Sequence, residues 1–457
     1  MAGIGFVLRK LAKQDNLLGL FQAYTFSALA STGPWLFTVL ALGLLVGVGQ
    51  SFLVFDEMFS FKLIITYNFA LTLVLSGPIV IISTRFIADM LYTKQSEFVP
   101  GMFISMLTFN YLIQLPVAFY IYIVYADMPI EMGVAAIANF MVIAGVWLVT
   151  AFSTALKDYK TTTLSFAVGL VLSFIFSLLL GDYYSTTGLL WGFTIGMSYI
   201  LATMLAKVFV EYPFDFSAPL KVFSYFFKYW DLALSGLIYN LAIWIDKWLM
   251  WLAPNAEKHE YGFYTNPNYD SAMFLAYLTI VPALAIFVFK VETGFYEKYM
   301  SFCKDLNDKA TYRQITDKHK DIVATLIDSL KTFMIVQCWI CFISIIMAPQ
   351  LIEYLKIPSM QISIFRYGVL GVLYQMFMIF QIVLLSYFDD RKGMLLFQMF
   401  FLVANTLFTY LSISCGFEYY GAGYFLASML TCFLCSIYTA KYVRNLPFHV
   451  MVSNNTK

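Results

Sequence analysis

Charged residues are scarce in this sequence. Asp, Glu, Lys and Arg together make up 12% of its 457 residues, whereas a soluble domain carries about 25%. Hydrophobic residues make up 61%, which is more apolar surface than a soluble core of this length could bury. The formal net charge is only +1, and no basic stripe points to a nucleic acid. The composition therefore indicates a membrane protein that does not bind nucleic acid.

Histidine and cysteine are also rare. The three histidines, His259, His319 and His449, fall in predicted loops or tails, so none is placed to act as a base inside the membrane. Two Cys-x-x-Cys pairs, at 338–341 and 432–435, fall within apolar segments, where cysteine behaves as a small hydrophobe. We therefore expect no catalytic residue, no metal site and no cofactor.

Long apolar segments recur along the whole chain, each long enough to cross a bilayer as a helix of about 20 residues. Because the apolar pattern is continuous rather than alternating, it predicts helices and not the strands of a barrel. The predicted fold class is an all-α integral membrane protein with about twelve transmembrane helices. The predicted spans are 18–49, 61–91, 100–125, 129–155, 160–181, 187–210, 223–253, 271–297, 322–348, 361–387, 393–415 and 421–443.

The distribution of Lys and Arg predicts the orientation of the chain. In the connections and tails, 19 of these residues fall on the side of the N-terminus, and two, Lys258 and Lys356, fall on the other side. Basic residues accumulate in cytoplasmic loops. We therefore expect both termini to be cytoplasmic, which agrees with an even number of spans.

The predicted spans divide into two sets of six. A faint repeat supports the division, since Pro78 and Pro282 stand in similar stretches at an offset of 204. The segment 211–221 contains two prolines and suits a cytoplasmic connection between the halves. We expect two six-helix bundles around a central cavity. Their limits are 1–215, which begins with a short amphipathic cytoplasmic segment at 1–17, and 222–457.

Proline interrupts several predicted helices. Gly33-Pro34 lies in the first span and Gly77-Pro78 in the second. Proline removes a backbone donor and bends a helix, and membrane helices tolerate the bend where neighbours satisfy the freed groups. Both a static kink and a moving hinge fit this pattern. The hinge candidates are Gly33, Pro34, Gly77, Pro78 and Pro282.

Ionisable residues inside the predicted spans are candidates for a functional site, because a charge in mid-membrane costs about 3 kcal/mol and normally faces a polar interior. Arg85 and Asp89 are one helical turn apart and can pair. Lys290 and Glu292 are two positions apart, so each needs another partner. Arg366 is a further basic residue within a span. Structural pairing near the cytoplasmic interface is the alternative explanation of these charges.

The seventh predicted span, 223–253, carries charges near both ends. Lys228 and Asp246 are eighteen positions apart, or five turns, so they project in the same direction from one continuous helix. Asp231 lies about 60° away on the same broad face, and Asn240 adds a neutral polar group. This face suits the wall of a wet passage, and an ion pair with a neighbouring helix is the alternative.

The opening of the sequence resembles a known transporter family. The similarity lies in MAGIGFVLRKL at 1–11, in Gln22-Ala23-Tyr24 and in Ser31-Thr32-Gly33-Pro34-Trp35. These stretches are similar to the start of the inner-membrane transporters of the Pel exopolysaccharide system. That family belongs to the multidrug/oligosaccharidyl-lipid/polysaccharide flippase superfamily. The resemblance covers the whole chain and implies two lobes of six helices, a central cavity and alternating access.

The same resemblance implies a substrate and partners. The substrate is a biofilm polysaccharide rich in N-acetylgalactosamine or galactosamine, which the transporter moves across the bacterial cytoplasmic membrane. The transporter itself is surrounded by membrane lipid. The partners are a glycosyltransferase and membrane scaffold proteins of a Pel synthase complex, regulated through cyclic di-GMP bound by a partner. Two alternatives stay open. One is a cation-coupled multidrug exporter of the same superfamily, with Asp246 as its intramembrane carboxylate. The other is a membrane-bound glycosyl- or acyltransferase.

Overall fold

The computed structural model describes residues 17–49, 55–156, 159–212, 219–308 and 310–449. Apart from Leu17, the predicted amphipathic segment 1–17 lies outside these residues. The described chain is helical almost throughout, with one small antiparallel hairpin. Its elements are α1 Leu17–Gly49, α2 Phe55–Tyr92, α3 Phe98–Phe119, α4 Ile130–Leu156, α5 Tyr159–Glu211, α6 Phe223–Lys228, α7 Trp230–Met250, β1 Glu257–Lys258, β2 Tyr264–Thr265, α8 Pro267–Leu278, α9 Val281–Lys290, α10 Tyr296–Asn307, α11 Tyr312–Ile346, α12 Ala348–Tyr354, α13 Gln361–Tyr387, α14 Arg391–Cys415, α15 Ala422–Arg444 and α16 Leu446–Phe448.

Nine helical segments among the described residues are long and apolar enough to cross a membrane. One of them, Lys160–Glu211, contains two of the predicted spans. The chain turns between these spans at Ser185, which has a φ of 52°. The helix α7 is not among the nine, because its polar residues lower its hydropathy. The helix α1 contributes the shorter apolar segment Leu36–Gly49.

The two arms of α5 pack against each other through small residues. The Ser173 and Ser177 hydroxyls donate hydrogen bonds to the carbonyls of Phe193 and Leu189, each at 3.1 Å. A Cβ atom on Gly192 would lie 2.2 Å from the backbone nitrogen of Ser177. Membrane helices approach this closely where small residues line the interface. The sequence therefore encodes a tight helical hairpin here.

The eighth predicted span, 271–297, is not one helix. The helix α8 ends at Leu278, α9 begins at Val281, and a π-helical turn follows at Val291–Phe295. Pro282 occupies the first turn of α9, where its missing N–H would have no partner within the helix. Pro282 therefore marks the start of a helix rather than a bend within one.

The described chain forms two compact units. The C-unit contains the described residues of Met1–Thr32, Ile245–Ala253 and Asn266–Lys457, and the N-unit contains those of Gly33–Trp244 and Pro254–Thr265. The boundary in α1 coincides with the predicted hinge Gly33-Pro34. A second boundary falls within α7. The units differ from the predicted lobes 1–215 and 222–457, because α1 and α7 each contribute residues to both units.

Candidate functional site

A buried ion pair lies near the end of α7, in the C-unit. Asp246 is fully buried, with 0% of its surface exposed. The Lys247 ammonium lies 3.0 Å from one Asp246 carboxylate oxygen and 3.1 Å from the other. The Tyr269 hydroxyl of α8 donates a further hydrogen bond to Oδ2 of Asp246 at 2.8 Å. A buried charge needs such compensation, because each ion taken out of water costs several kcal/mol.

Aromatic rings enclose the cation of this pair. The Lys247 ammonium lies 4.8 Å from the centre of the Tyr277 ring and 5.9 Å from that of Tyr424. The Tyr424 hydroxyl donates a hydrogen bond to the Gln375 side chain. Aromatic faces attract cations, most strongly where water is excluded. Lys247 is therefore stabilised by a carboxylate and by two rings.

Hydrogen bonds tie the end of α7 to the start of α8 and so place Tyr269. Asn266 caps α8 by accepting a hydrogen bond from the backbone N–H of Tyr269 at 3.2 Å. Its amide nitrogen donates to the carbonyl of Met250 at 3.2 Å. The Trp251 indole donates to Oδ2 of Asp270 at 2.9 Å. An Asn cap followed by proline is a strong signal for a helix start.

Lys228 is not part of the helix that carries Asp246. The helix α6 ends at Lys228, and Tyr229 leaves helical geometry, with φ −121° and ψ 42°, before α7 begins. The prediction that Lys228 and Asp246 project from one continuous helix is therefore wrong. Asp231 is buried in the first turn of α7. Its Oδ1 accepts a hydrogen bond from the backbone N–H of Leu232 at 2.9 Å.

A second charged cluster lies in the N-unit, where α2 approaches α6. Arg85 Nε lies 3.4 Å from Oδ1 of Asp89, which confirms the predicted pairing one turn apart. The Arg85 guanidinium lies 5.1 Å from the centre of the Tyr229 ring, and the Lys228 ammonium lies 5.0 Å from the same centre. Two cations therefore share one aromatic ring at the junction of α6 and α7.

The predicted hinge Gly77-Pro78 is the place where α2 contacts α7 within the N-unit. A Cβ atom on Gly77 would lie 2.5 Å from the Gly236 carbonyl oxygen, and one on Gly236 would lie 2.6 Å from that of Gly77. Asn240 donates a hydrogen bond to the Leu73 carbonyl at 3.1 Å. Asn240 therefore packs beside the proline, and α2 continues as a helix through Pro78.

The other sequence candidates make separate contacts in the C-unit. The Lys290 ammonium lies 3.1 Å from Oδ2 of Asp328 on α11, so it has another partner, as predicted. Arg366 Nε donates to the Ile345 carbonyl at 3.3 Å, where a basic side chain at the end of α11 is favourable. Glu292 lies in the π-helical turn, and its side chain lies outside the described part of the chain.

Neutral polar side chains form a chain of hydrogen bonds in the core of the N-unit. The Asn68 amide donates to Oδ1 of Asn139 at 2.8 Å, and the Asn139 amide donates to the Thr194 hydroxyl at 3.0 Å. The Tyr122 hydroxyl donates to Oδ1 of Asn68. These residues are buried in four different segments. Bonded groups of this kind add specificity to a core that packing alone would leave less well defined.

Several residues of the ion-pair site were not predicted. Helical spacing does not predict Lys247 as the partner of Asp246, because neighbours in sequence do not face each other on a helix. Tyr269, Tyr277 and Tyr424 lie on other helices, so only the fold brings them together. The available signal is the Asp–Lys dipeptide itself, which stands deep in an apolar segment.

The fold is that of the MATE transporters of the MOP superfamily. An outward-facing multidrug resistance MATE family transporter matches with a TM-score of 0.68 and 13% identity, over 92% of this chain and 96% of that chain. An inward-facing multidrug resistance MATE family transporter matches with a TM-score of 0.63 and 12% identity, over 89% of this chain and 95% of that chain. A MOP superfamily transporter from Pyrococcus furiosus matches with a TM-score of 0.67 and 13% identity, over 92% of this chain and 96% of that chain. At these identities the likeness concerns the fold.

The sequence defines the family more narrowly. The PelG family, described as "Putative exopolysaccharide Exporter (EPS-E)", matches residues 1–451, and the chain belongs to this family. No curated protein matches the chain. Together with the apolar helices, the family and the fold define a multi-pass transporter of the bacterial cytoplasmic membrane that serves polysaccharide export.

Proposed function

We propose that this chain moves a Pel-type exopolysaccharide, rich in N-acetylgalactosamine or galactosamine, outward by alternating access. Membership of the PelG family over residues 1–451 carries the proposal. The transporter acts beside a cytoplasmic glycosyltransferase and membrane scaffold proteins of a Pel synthase complex, which make the polymer that it moves. The resemblance of the opening sequence to Pel transporters supports both statements.

The transport cycle needs a defined membrane topology. We propose twelve crossings with both termini in the cytoplasm. Eight of the nine apolar segments supply one crossing each, and Lys160–Glu211 supplies two because the chain turns within it. The helices α1 and α7 supply the remaining two. These crossings form two six-helix lobes, 1–215 and 222–457, around a central cavity.

The buried ion pair is the part of the chain best suited to handle substrate. The pair is neutral as a whole, so it costs less in a membrane than two separated charges. If it opens during the cycle, Asp246 offers a hydrogen-bond acceptor and Lys247 offers a donor. Sugar hydroxyl and amino groups can bind to both. Arg85 and Asp89 offer the same combination of groups in the N-unit.

The geometry of Asp246 argues against a cation-coupled drug exporter. Both carboxylate oxygens already accept hydrogen bonds from Lys247, and Oδ2 also accepts one from Tyr269. An inorganic cation would have to displace the tethered ammonium first. We likewise propose that the chain is a transporter and not a glycosyl- or acyltransferase. Both the family and the fold support a transporter.

Deletion of the chain in its own host tests the substrate. We expect galactosamine-containing polymer to disappear from the medium and to return with the wild-type chain, while susceptibility to cationic drugs stays unchanged. Complementation with Asp182→Asn should also restore export, because Asp182 is an exposed carboxylate. Normal polymer together with increased drug susceptibility would contradict the proposal and favour the drug exporter.

A further inference from the structure

The connection between α7 and α8 is a β-hairpin that packs within the N-unit. The strands β1 and β2 pair antiparallel, with Lys258 opposite Tyr264. Gly262 has a φ of 75°, a conformation that glycine adopts without strain, and it allows the tight turn before Phe263. The Phe263 side chain is only 3% exposed, although it lies at the end of a surface loop. A buried aromatic residue at a loop tip indicates a docked loop.

Three tyrosines form the site where the hairpin docks. The centre of the Phe263 ring lies 4.7 Å from that of Tyr67, 6.0 Å from that of Tyr122 and 6.4 Å from that of Tyr125. We call these three residues the tyrosine seat. Tyr122 is held in turn by its hydrogen bond to Asn68 in the core of the N-unit. The seat is therefore bonded to the buried core of this unit.

The seat also binds the backbone of the hairpin. The Tyr67 hydroxyl donates to the Tyr264 carbonyl at 2.8 Å and accepts from the Tyr264 N–H at 3.2 Å. The Tyr125 hydroxyl donates to the Gly262 carbonyl at 3.1 Å. These three bonds satisfy backbone groups at defined positions, so they fix the register of the docked hairpin as well as its attachment.

The base of the hairpin is held in the C-unit. The Asn266 amide bonds to the Met250 carbonyl, and the Trp251 indole bonds to Asp270. The boundary between the two units lies between Thr265 and Asn266. The hairpin is therefore held at its tip by side chains of the N-unit and at its base by side chains of the C-unit.

We propose that the hairpin Glu257–Thr265 is a clasp that leaves the tyrosine seat once in each transport cycle. This inference rests on the proposed alternating access. The tip releases rather than the base, because the base belongs to two helices whose ends are capped together. The tip is held by ring contacts and by hydrogen bonds from tyrosine hydroxyls, and water can take the place of these hydrogen bonds. Release of the tip then accompanies each change of access.

A reversible cross-link tests the clasp. In a background without the six native cysteines, Phe59→Cys and His259→Cys place two thiols where the native rings lie 4.2 Å apart. A short, reducible bis-methanethiosulfonate reagent then ties the hairpin to α2. We expect polymer export to fall at least tenfold after linking and to recover after reduction. Full export from linked protein would overturn the clasp.

The matched control links two positions on one helix. Phe55→Cys with Phe59→Cys shares one of the two thiols and places the other one turn away, where the native rings lie 6.2 Å apart. A link within α2 restrains no other element, so the same reagent should leave export unchanged. Loss of export in this control would show that the reagent itself inhibits.

A second readout separates the clasp from the proposed function. Phe263→Cys should react with a membrane-impermeant maleimide in spheroplasts, because the side chain leaves the seat during the cycle. Linking positions 59 and 259 should slow this reaction at least tenfold. If the thiol reacts with maleimide but no variant exports polymer, the proposed clasp is supported and the proposed substrate is wrong. An unreactive thiol in protein that exports polymer would overturn the clasp alone.

Discussion

Asp246 and Lys247 are neighbours in the sequence and also partners in an ion pair, with Nζ 3.0 Å from Oδ2. Consecutive residues project about 100° apart on a helix, so the long lysine side chain must bend back to reach the carboxylate. The two side chains are 0% and 13% exposed. The pair therefore brings two opposite charges of α7 together on one helix.

A double-mutant cycle measures how this pair contributes. Asp246→Asn leaves a nearly buried ammonium without its carboxylate, which costs about 3–5 kcal/mol. We expect this variant to lower the Tm of the detergent-solubilised protein. The double variant Asp246→Asn with Lys247→Gln removes both charges and should recover most of that loss. Export should stay low in both variants. Export at the wild-type level from the double variant would show that the ion pair has only a structural role.

Arg85 tests the charged cluster of the N-unit. Arg85→Ala removes both the ion pair to Asp89 and the contact with the Tyr229 ring, so we expect export to fall several-fold at an unchanged protein level in the membrane. Arg85→Lys should retain part of the activity, because lysine keeps the charge but lacks the planar group that stacks on a ring.

Lys298→Ala is the control for Arg85. Lys298 makes an exposed ion pair with Asp321 at 3.9 Å, and such pairs contribute about 1 kcal/mol or less. The control should export normally. Equal export from the Arg85 and Lys298 variants, measured as secreted polymer per unit of membrane protein, would remove the cluster from the mechanism.

Close contact between Gly77 and Gly236 predicts sensitivity to one added methyl group. Gly77→Ala would bring a Cβ within 2.5 Å of a backbone oxygen, and such overpacking costs about 1–3 kcal/mol. We expect a lower Tm and reduced export. Gly43→Ala is the matched control, because no atom lies within 4 Å of the added Cβ. A Tm equal to that of the control would contradict the close approach of α2 and α7.

The docked hairpin should depend on pH through His259. Burial against Phe59 lowers the pKa of His259 below its usual value of about 6.5, and the Asp56 and Glu257 carboxylates oppose this shift. Docking therefore favours the neutral ring and loses stability as pH falls below about 6.5. We expect Phe263→Cys to become more reactive toward maleimide between pH 7.5 and 5.5, relative to the same variant carrying His259→Phe. An unchanged ratio would contradict this dependence.

Local spacing predicts the features that depend on one segment. The pairing of Arg85 with Asp89 follows from their separation by one turn. Gly33-Pro34, a candidate for a kink or a hinge, lies at a boundary between the units. The break at Tyr229 carries no such signal, because neither glycine nor proline stands there. Its position depends on how α6 and α7 pack, which spacing along the chain does not encode.

Long-range contacts limit the prediction of the site in the same way. The burial of Asp246 is consistent with its apolar surroundings in the sequence. Helical spacing predicts neither of its contacts, because Tyr269 comes from another helix and Lys247 reaches the carboxylate by bending back. The docking of Phe263 is likewise invisible in the sequence, since its contacts Tyr67 and Tyr122 lie far away along the chain.

Movement of polysaccharide across the cytoplasmic membrane by this chain can be measured in cells. The most direct measurement follows pulse-labelled polymer in cells that lack the chain but retain the synthesis machinery, with and without the wild-type gene. We expect labelled polymer to stay on the cytoplasmic side of the membrane without the chain and to appear outside within one pulse when the chain is restored. Equal amounts of polymer outside in both strains would show that the polymer crosses the membrane without this chain.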